Sequence, residues 1–193
     1  MRSFIAHQLR PAIAILALLT LITGFIYPAV VTGIAQVAFP SQANGSFITV
    51  NGATVGSTLI GQAFADDKYL SGRPSAAGKD GYDGTSSAGS NLGPTNKALI
   101  DRITASVDEL RAKNGNGPVP VDLITTSGSG LDPDISPAAA EYQVARIATA
   151  RAIDPGAVRA AIARHTTQPL FGFLGEPRVN VLLVNLDLDG LLK

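Results

Sequence analysis

The stretch PAIAILALLTLITGFIYPAVVTGIAQV, residues 11–37, decides how the chain is organised. It contains no charged residue and consists mainly of Ile, Leu, Val, Ala and Phe. Because lipid offers no hydrogen-bond partners, a segment that crosses a bilayer must satisfy its own backbone, and a helix does so locally. About 20 apolar residues cross a hydrocarbon core of roughly 30 Å. The stretch therefore predicts one transmembrane helix, which tilts or extends beyond the membrane.

Basic residues flank this helix on one side only. Arg2 and Arg10 precede it, and the next Lys or Arg along the chain is Lys68. The positive-inside bias therefore predicts that residues 1–10 are cytoplasmic and that residues 38–193 are exported across the plasma membrane. A cleaved secretory signal is the alternative, but the apolar region of such signals usually has about 7–15 residues, fewer than this run.

Small residues share one face of the predicted helix. Ala17, Thr20 and Gly24 fall at positions i, i+3 and i+7, and small residues let another helix approach closely. These three are candidate residues for an interface with a partner helix. Pro28 removes a backbone donor, so we expect the helix to bend near it. Small residues and Pro are also common in membrane helices in general, which is the alternative explanation.

The exported part is long enough for one domain with its own core. It carries all 15 acidic residues and 13 of the 15 basic ones, which leaves two net negative charges. A nearly neutral domain disfavours nucleic acid as a partner. The chain has no cysteine, which excludes disulfides, thiol chemistry and cysteine-ligated metals.

The first half of the exported part predicts a hairpin followed by a long loop. Asn51-Gly52 favours a type I′ turn between strands at 47–50 and 53–55, with a third short strand over 59–64. Residues 76–96 contain five glycines and few large apolar residues. Such a region is typical of a binding loop, or of a mobile solvated loop.

Three side chains near this loop are of types that anchor protein interfaces. Tyr69, Arg73 and Tyr82 are aromatic or arginine residues, and these types dominate binding hot spots. We therefore treat them as candidate contacts with a partner subunit.

Helices dominate the second half. Apolar residues spaced by four, four and three from Leu99 to Leu110 predict an amphipathic helix that ends at Asn114-Gly115. Ser136-Pro137 and Asp154-Pro155 each combine a capping residue with Pro at the first helical position, and they predict two further helices. His165 should end the second of these, in a structural role.

The first of these two helices carries an apolar face formed by Ala140, Val144 and Ile147. Gln143 lies off that face, so its replacement by alanine is expected to cost the fold little, as for surface positions in general.

Two strands complete the prediction of one α+β domain. The first covers residues 121–126. The second covers 179–189, where Asn185, Asp187 and Asp189 alternate with apolar residues and would share one face. We interpret this face as exposed to solvent, with a cation site as the alternative.

A Ser-Gly loop precedes the helix at Pro137. Ser127, Gly128, Ser129 and Gly130 alternate just before a helix N-terminus, where backbone amides can hold an anion. A tight, capped connection to the helix explains the same residue types.

Six motifs, in this order and spacing, resemble the KdpC family, the C subunits of the Kdp potassium-transporting ATPases of bacteria and archaea. They are Tyr27-Pro28, LIGQ at 59–62, GRPS at 72–75, SNLGPTN at 90–96, SGSGLDP at 127–133 and VNVL at 179–182. The resemblance covers nearly the full length. It implies a non-catalytic accessory subunit that assembles with a channel-like A subunit, an ATP-hydrolysing B subunit and a small F subunit in the lipid bilayer, without a firmly bound cofactor or metal.

The resemblance also implies a second role. KdpC subunits are described as catalytic chaperones that raise the ATP affinity of the B subunit, and a glutamine in a Gln-x-x-Arg motif is linked to the nucleotide. Here the motif matches Gln143 and Arg146, beside the loop of residues 127–130. The predicted topology disfavours this role, because it places Gln143 outside while such a pump hydrolyses ATP inside.

Three hypotheses result. The favoured one is an accessory subunit that braces a potassium pump at its outer entrance. The second is an ATP-binding chaperone. The third, a membrane-anchored hydrolase, is weakest because it needs a nucleophile and a base, and the exported part offers one histidine and no cysteine.

Overall fold

A computed structural model describes residues 2–192, and for residues 2–6 it describes the backbone alone. Met1 begins the predicted cytoplasmic segment and Lys193 ends the predicted exported segment. Both residues lie outside the described part of the chain. The chain divides into two compact units, Met1–Phe47 and Ile48–Lys193. The predicted fold class, one apolar N-terminal helix followed by one α+β domain, is confirmed.

The first unit is helical. It contains α1 (Arg2–Leu21), a π-helical turn (Ile22–Ile26), α2 (Tyr27–Ala38) and the short α3 (Pro40–Ala43). Within it, His7–Ala38 is long and apolar enough to cross a membrane. This length agrees with a helix that extends beyond the hydrocarbon core.

The π-helical turn lies where Pro28 interrupts the helix. Pro28 has no N–H to donate to the carbonyl four residues before it. The N–H of Tyr27 instead donates to the carbonyl of Ile22, five residues back, which is the π-helical pattern. The expected irregularity near Pro28 is therefore a widened turn that contains Gly24.

The domain begins with the predicted hairpin. Strands β1 (Phe47–Val50) and β2 (Ala53–Ser57) pair in a two-stranded sheet. Asn51 and Gly52 have φ values of 51° and 83°, and a type I′ turn requires positive φ at both positions.

The third strand predicted over 59–64 is wrong. Ser57 and Ile60 form an isolated bridge around a tight turn, and the chain continues as coil. The side-chain amide of Gln62 donates to the carbonyl of Val55 at 3.0 Å, which occupies an acceptor that a neighbouring strand would need.

The helices predicted in the second half are present. They are α4 (Lys97–Asn114), α5 (Pro137–Arg151) and α6 (Pro155–Arg164). Oγ of Ser136 and the carboxylate of Asp154 accept hydrogen bonds from the first-turn amides of α5 and α6, as the capping signals predict. Gly115 ends α4 with a positive φ, and His165 lies at the end of α6.

A small antiparallel sheet packs against these helices. It consists of β3 (Asp134–Ile135), β4 (Thr166–Thr167) and β5 (Arg178–Asn180), with β5 in the centre. Val179 pairs with Ile135 on one side and with Thr166 on the other.

The strand predicted over 121–126 is wrong. Val121–Leu123 form a single 3₁₀ turn. The carbonyls of Pro120 and Val121 accept hydrogen bonds from the amides of Leu123 and Ile124. These acceptors are used locally, so they cannot join a strand ladder.

The long strand predicted over 179–189 is also wrong. β5 ends at Asn180, and Val181–Leu188 form a helix, α7. The side chain of Asn180 accepts a hydrogen bond from the amide of Leu183 at 3.1 Å and so caps the helix. Asn185, Asp187 and Asp189 consequently do not share one face. A short run that is apolar at most positions fits a buried helix as well as a buried strand.

The core lies between α5, α6, α7 and β5, and the predicted face of α5 is buried in it. Its most deeply buried apolar members are Leu70, Ile135, Ala139, Ala140, Val144, Ile147, Val158, Ala161, Val179 and Val184. Leu70 is notable because it belongs to a coil segment, and the buried backbone of that segment needs hydrogen-bond partners.

Candidate functional site

Residues 67–71 pack against the helices without regular secondary structure and bury Leu70 in the core. Four side chains bind their five carbonyls and the amides of Leu70 and Ser71, and we call these side chains the polar clamp: Gln143, Arg146 and Arg151 from α5 and Asn185 from α7. We call residues 67–71 the clamped segment. The site is built on the bonds between these two groups.

Gln143 is buried, with 1% of its surface exposed. Its Oε1 accepts a hydrogen bond from the amide of Ser71 at 2.9 Å, and its Nε2 donates to the carbonyl of Ser71 at 3.1 Å. Nε2 also donates to the carbonyl of Ala139. The expectation that Gln143 lies at the surface is wrong, because the clamped segment covers a second face of α5 beside the core.

Arg146 lies one turn after Gln143 on the same side of α5. Its guanidinium donates to Oε1 of Gln143 at 2.8 Å, to the carbonyls of Tyr69 and Asp67, and to Oδ1 of Asn114 at the end of α4. Burial lowers the pKa of Arg146, and the nearby charge of Asp67 opposes that shift. An arginine starts from so high a pKa that it stays charged, so it can hold several acceptors at once.

Arg151 and Asn185 complete the clamp. Nε of Arg151 donates to the carbonyl of Lys68 at 2.7 Å, and its Nη2 pairs with Asp189 at 2.7 Å. The buried amide of Asn185 accepts from the Leu70 amide at 2.7 Å and donates to the Leu70 carbonyl at 2.9 Å. Asn185 and Gln143 therefore each bind both backbone groups of one residue, as a neighbouring strand would do.

Sequence reasoning did not single out Arg151, and its interpretation of Asn185 as part of a solvent-exposed face is wrong, because Asn185 is 1% exposed. Asn185 is a single amide within the otherwise apolar start of α7. A buried amide needs hydrogen-bond partners, so an isolated Asn in a buried apolar run was the available signal. Nothing in the local pattern of Arg151 distinguishes it from a surface arginine near a helix end.

A cavity of about 410 Å³ opens beside the clamp. Four residues that the sequence singled out line it: Gln143, Arg146, Arg73 and Tyr82. The structure thus brings together residues from the Gln-x-x-Arg motif and from the region of residues 69–82. The Ser-Gly loop of residues 127–130 does not line this cavity.

A hydrogen bond links the side chain of Tyr82 to the backbone of Arg73, and the side chain of Arg73 has its own partners in the domain. Arg73 forms an ion pair with Asp132 at 3.1 Å and donates to the carbonyl of Thr126, and the hydroxyl of Tyr82 donates to the carbonyl of Arg73 at 2.6 Å. Burial raises the pKa of Tyr82, and the charge of Asp132 adds to the shift. Tyr82 is therefore a neutral hydrogen-bond donor at ordinary pH.

Tyr69 lies at the other end of the clamp. Its hydroxyl donates to Asp189 at 2.9 Å, and this bond raises the pKa of Tyr69. The guanidinium of Arg151 lies 5.2 Å from the centre of its ring. Tyr69, Arg73 and Tyr82 all have contacts inside the domain, and their role at an interface with a partner stays a prediction.

The Ser-Gly loop packs against the long irregular region. Oγ of Ser127 accepts from the amide of Gly130 at 2.9 Å, the carbonyl of Ser129 accepts from the amide of Ala88 at 2.9 Å, and the carbonyl of Gly130 accepts from Oγ of Ser75 at 2.5 Å. Residues 76–96 are irregular, as predicted, and these bonds hold part of them in place. Anion binding by the loop stays a prediction.

The candidate contact face on the apolar helix lies in the other unit. Ala17 and Thr20 are exposed residues of α1, and Gly24 lies in the π-helical turn. A Cβ on Gly24 would stand 3.9 Å from Cγ2 of Thr20, so the two positions share a face. Packing of this face against another helix stays a prediction. Across residues 2–192, no group of three or more His, Asp or Glu side chains is placed to hold a metal ion.

Comparison with known proteins identifies the family of this chain. The model of a family described as the c chain of K⁺-transporting ATPase, KdpC, matches residues 9–190. The chain belongs to the KdpC family. This confirms the resemblance that the six motifs indicate, and the match includes both the apolar helix and the domain.

Individual KdpC proteins match most of the chain. A "Potassium-transporting ATPase KdpC subunit" from Sorangium cellulosum is 58% identical over 188 residues, which cover 96% of this chain and 98% of that protein. KdpC subunits from Gemmatimonas aurantiaca and Variovorax paradoxus are each 56% identical, over 96% and 95% of this chain and 94% and 96% of their own lengths.

The clamp generates a stability prediction. We expect Gln143→Ala to lower the free energy of unfolding of this KdpC chain by about 2–3 kcal/mol, because it leaves both backbone groups of Ser71 without partners. Gln168, which is exposed, offers a matched control: Gln168→Ala should stay within about 0.5 kcal/mol of the parent. Denaturant unfolding of the full-length protein in detergent measures both. Equal stability of the two variants would mean that the clamp contributes little.

Proposed function

We propose that this KdpC chain is the non-catalytic accessory subunit of an ATP-driven potassium-uptake complex and that it stabilises the assembly of the other subunits. The family match over residues 9–190 carries the proposal. Its partners are then a channel-like subunit, an ATP-hydrolysing P-type subunit and a small third subunit, all in one bilayer. The single apolar helix, His7–Ala38, supports membership of a membrane complex.

The proposed location is the inner membrane, with the N-terminus in the cytoplasm. Arg10 lies directly before the apolar stretch, and the next basic residue after it is Lys68. This asymmetry supports an exported domain. The domain would then act at the outer side of the pump, where potassium enters, and the apolar helix would contact the membrane parts of the partners.

The polar clamp supports a bracing role. Side chains from α5 and α7 hold the clamped segment, and Arg146 also reaches Asn114 at the end of α4. These long-range bonds restrict the motion of the irregular part of the domain. A preorganised surface loses less conformational entropy when it docks on a partner, which suits a subunit that stabilises an assembly.

The ATP-binding chaperone is the second candidate, and one observation favours it. The cavity beside the clamp is about 410 Å³ in volume, and Lys113 and Arg73 line it. Against it stand the bonds of Gln143 and Arg146, since a nucleotide that contacted Gln143 would have to displace Ser71 or Arg146. The proposed topology places the cavity on the side opposite to ATP hydrolysis. We therefore favour the bracing role.

The topology is testable because the chain contains no cysteine. A single cysteine at the exposed position Ala105 in α4 should react with a membrane-impermeant maleimide in intact spheroplasts. A single cysteine at Ser3, before the apolar helix, should react only after the membrane is permeabilised. The reverse pattern would place the domain in the cytoplasm and exclude the proposed orientation.

Assembly is tested on the small-residue face. Ala17→Leu should reduce co-purification of two large membrane subunits with a tagged chain by several-fold, because a bulky side chain prevents close helix approach. Ala12→Leu is the matched control, since five residues at 100° per residue place Ala12 about 140° away on the same helix. Loss of partners in both variants, or in neither, would argue against this face as the contact.

The two candidate roles are separated at Lys113, which lines the cavity and pairs with Glu109 one turn before it. If the domain only braces the complex, Lys113→Ala leaves the KM for ATP of the assembled complex unchanged, and this is the result we expect. A several-fold rise in KM with unchanged kcat would indicate lost nucleotide binding. Lys97→Ala is the control, because Lys97 forms the same type of exposed pair with Asp101 but does not line the cavity.

A further inference from the structure

A short apolar loop projects from the domain between β4 and β5. We call residues 170–174 the apolar loop. Four of its five residues are large and apolar: Leu170, Phe171, Phe173 and Leu174. Phe171 and Phe173 are 79% and 74% exposed, and both leucines are more than half exposed. Contiguous exposed apolar residues of this kind mark a contact with another protein or with a membrane.

The apolar loop has a defined conformation. The amide and carbonyl of Leu170 bond to the carbonyl and amide of Leu174, each at 3.0 Å, and close the turn. Phe171 and Gly172 have φ values of 56° and 80°, and a positive φ is strained for a bulky residue such as Phe. The centres of the Phe171 and Phe173 rings lie 6.5 Å apart. The turn therefore presents two aromatic rings together to the surroundings.

The base of the apolar loop lies beside the N-terminal hairpin of the domain, near the end of β2. Thr167 and Arg178, which begin and end the connection, line one cavity together with Thr58 and Leu59. The carbonyl of Thr58 also accepts a hydrogen bond from Asn180 in β5 at 3.0 Å. Thr58 directly follows β2, and β1 and β2 are joined by a two-residue turn, so the end of β2 lies beside the start of β1.

A short tether connects the apolar helix to the start of the domain. Eight residues, 39–46, separate the apolar helix from β1, and they span at most about 28 Å when fully extended. Four of them form α3, which shortens the tether further. A short tether holds the two ends at a high effective concentration. The length of the connection therefore allows the start of the domain, and with it the base of the apolar loop, to approach the bilayer that contains the helix.

Two arginines lie near the base of the apolar loop. Arg164 and Arg178 both line the cavity at the base, and both side chains are more than half exposed. Arg164 pairs with Asp187, and Arg178 pairs with Asp134. An apolar tip with arginines behind it matches the order of a membrane–water interface, where apolar groups enter the acyl boundary and arginines lie at the headgroups.

We propose that the apolar loop inserts Phe171 and Phe173 into the interface of the bilayer leaflet that faces the domain, as a second membrane contact of the chain. The composition of the tip favours lipid over a protein partner. Protein hot spots are rich in Trp, Tyr and Arg and poor in Leu, whereas this tip contains Phe and Leu only around one Gly. The contact would fix the orientation of the domain over the membrane, and it does not depend on assembly with other subunits.

The chain contains no tryptophan, so a single introduced tryptophan reports on its own surroundings. Phe171→Trp and Phe173→Trp are made separately in the full chain and reconstituted in dioleoylphosphatidylcholine vesicles, with or without the dibrominated analogue of that lipid. Each tryptophan should lose at least about half of its emission to bromine, because interfacial groups lie about 5–10 Å deep at the acyl boundary. Ile100→Trp, at an exposed position of α4, is the control and should keep its emission.

Three outcomes would overturn the proposal. Absence of bromine quenching at both loop positions would show that the loop does not touch lipid, and equal quenching at position 100 would show that the contact is not specific to the loop. A blue-shifted emission that bromine does not quench would mean that a protein surface, such as a second copy of the chain, covers the loop. That result also overturns it.

Two features of this experiment separate lipid contact from a local rearrangement of the loop and from assembly with partner subunits. Because Phe171 has a positive φ, the Phe173→Trp variant guards against a local rearrangement at position 171. The vesicles contain this chain alone, so failure to co-purify with partner subunits would leave the quenching result unaffected, and the reverse is also true.

Discussion

The hydrogen bonds between the polar clamp and residues 67–71 are the constraint on which the domain depends. Leu70 is fully buried in a segment without regular structure, and buried backbone groups without partners are costly. Gln143 and Asn185 solve this problem by binding both backbone groups of Ser71 and Leu70. The domain has no disulfide to hold its irregular parts, so these side chains take over part of that role.

The contacts of the clamp give the Gln-x-x-Arg motif a role in folding. The spacing of three places Gln143 and Arg146 on one side of α5, where they bond to each other and to the same segment of chain. Such an arrangement needs these two residue types for reasons of folding alone. A side chain with all its polar groups engaged is poorly suited to bind a ligand as well, because each new bond replaces an existing one.

Two uncharged, exposed surfaces lie outside the polar clamp. The small-residue face of the apolar helix and the apolar loop carry no charge, and they suit contacts in or at a bilayer. The cavity beside the clamp carries charged side chains at its edge.

The sequence by itself determined the apolar helix, the Asn51-Gly52 hairpin, the end of α4, the start of α5, both ends of α6, and the family. Each of these depends on composition or on contacts within a few residues, such as a cap, a proline or a turn. Only the tertiary structure decided that Val181–Leu188 form a helix and that Gln143 is buried. The physical reason is that both depend on what packs against them: a run that is apolar at most positions fits a helix or a strand, and the clamped segment that covers Gln143 lies 72 residues away in sequence.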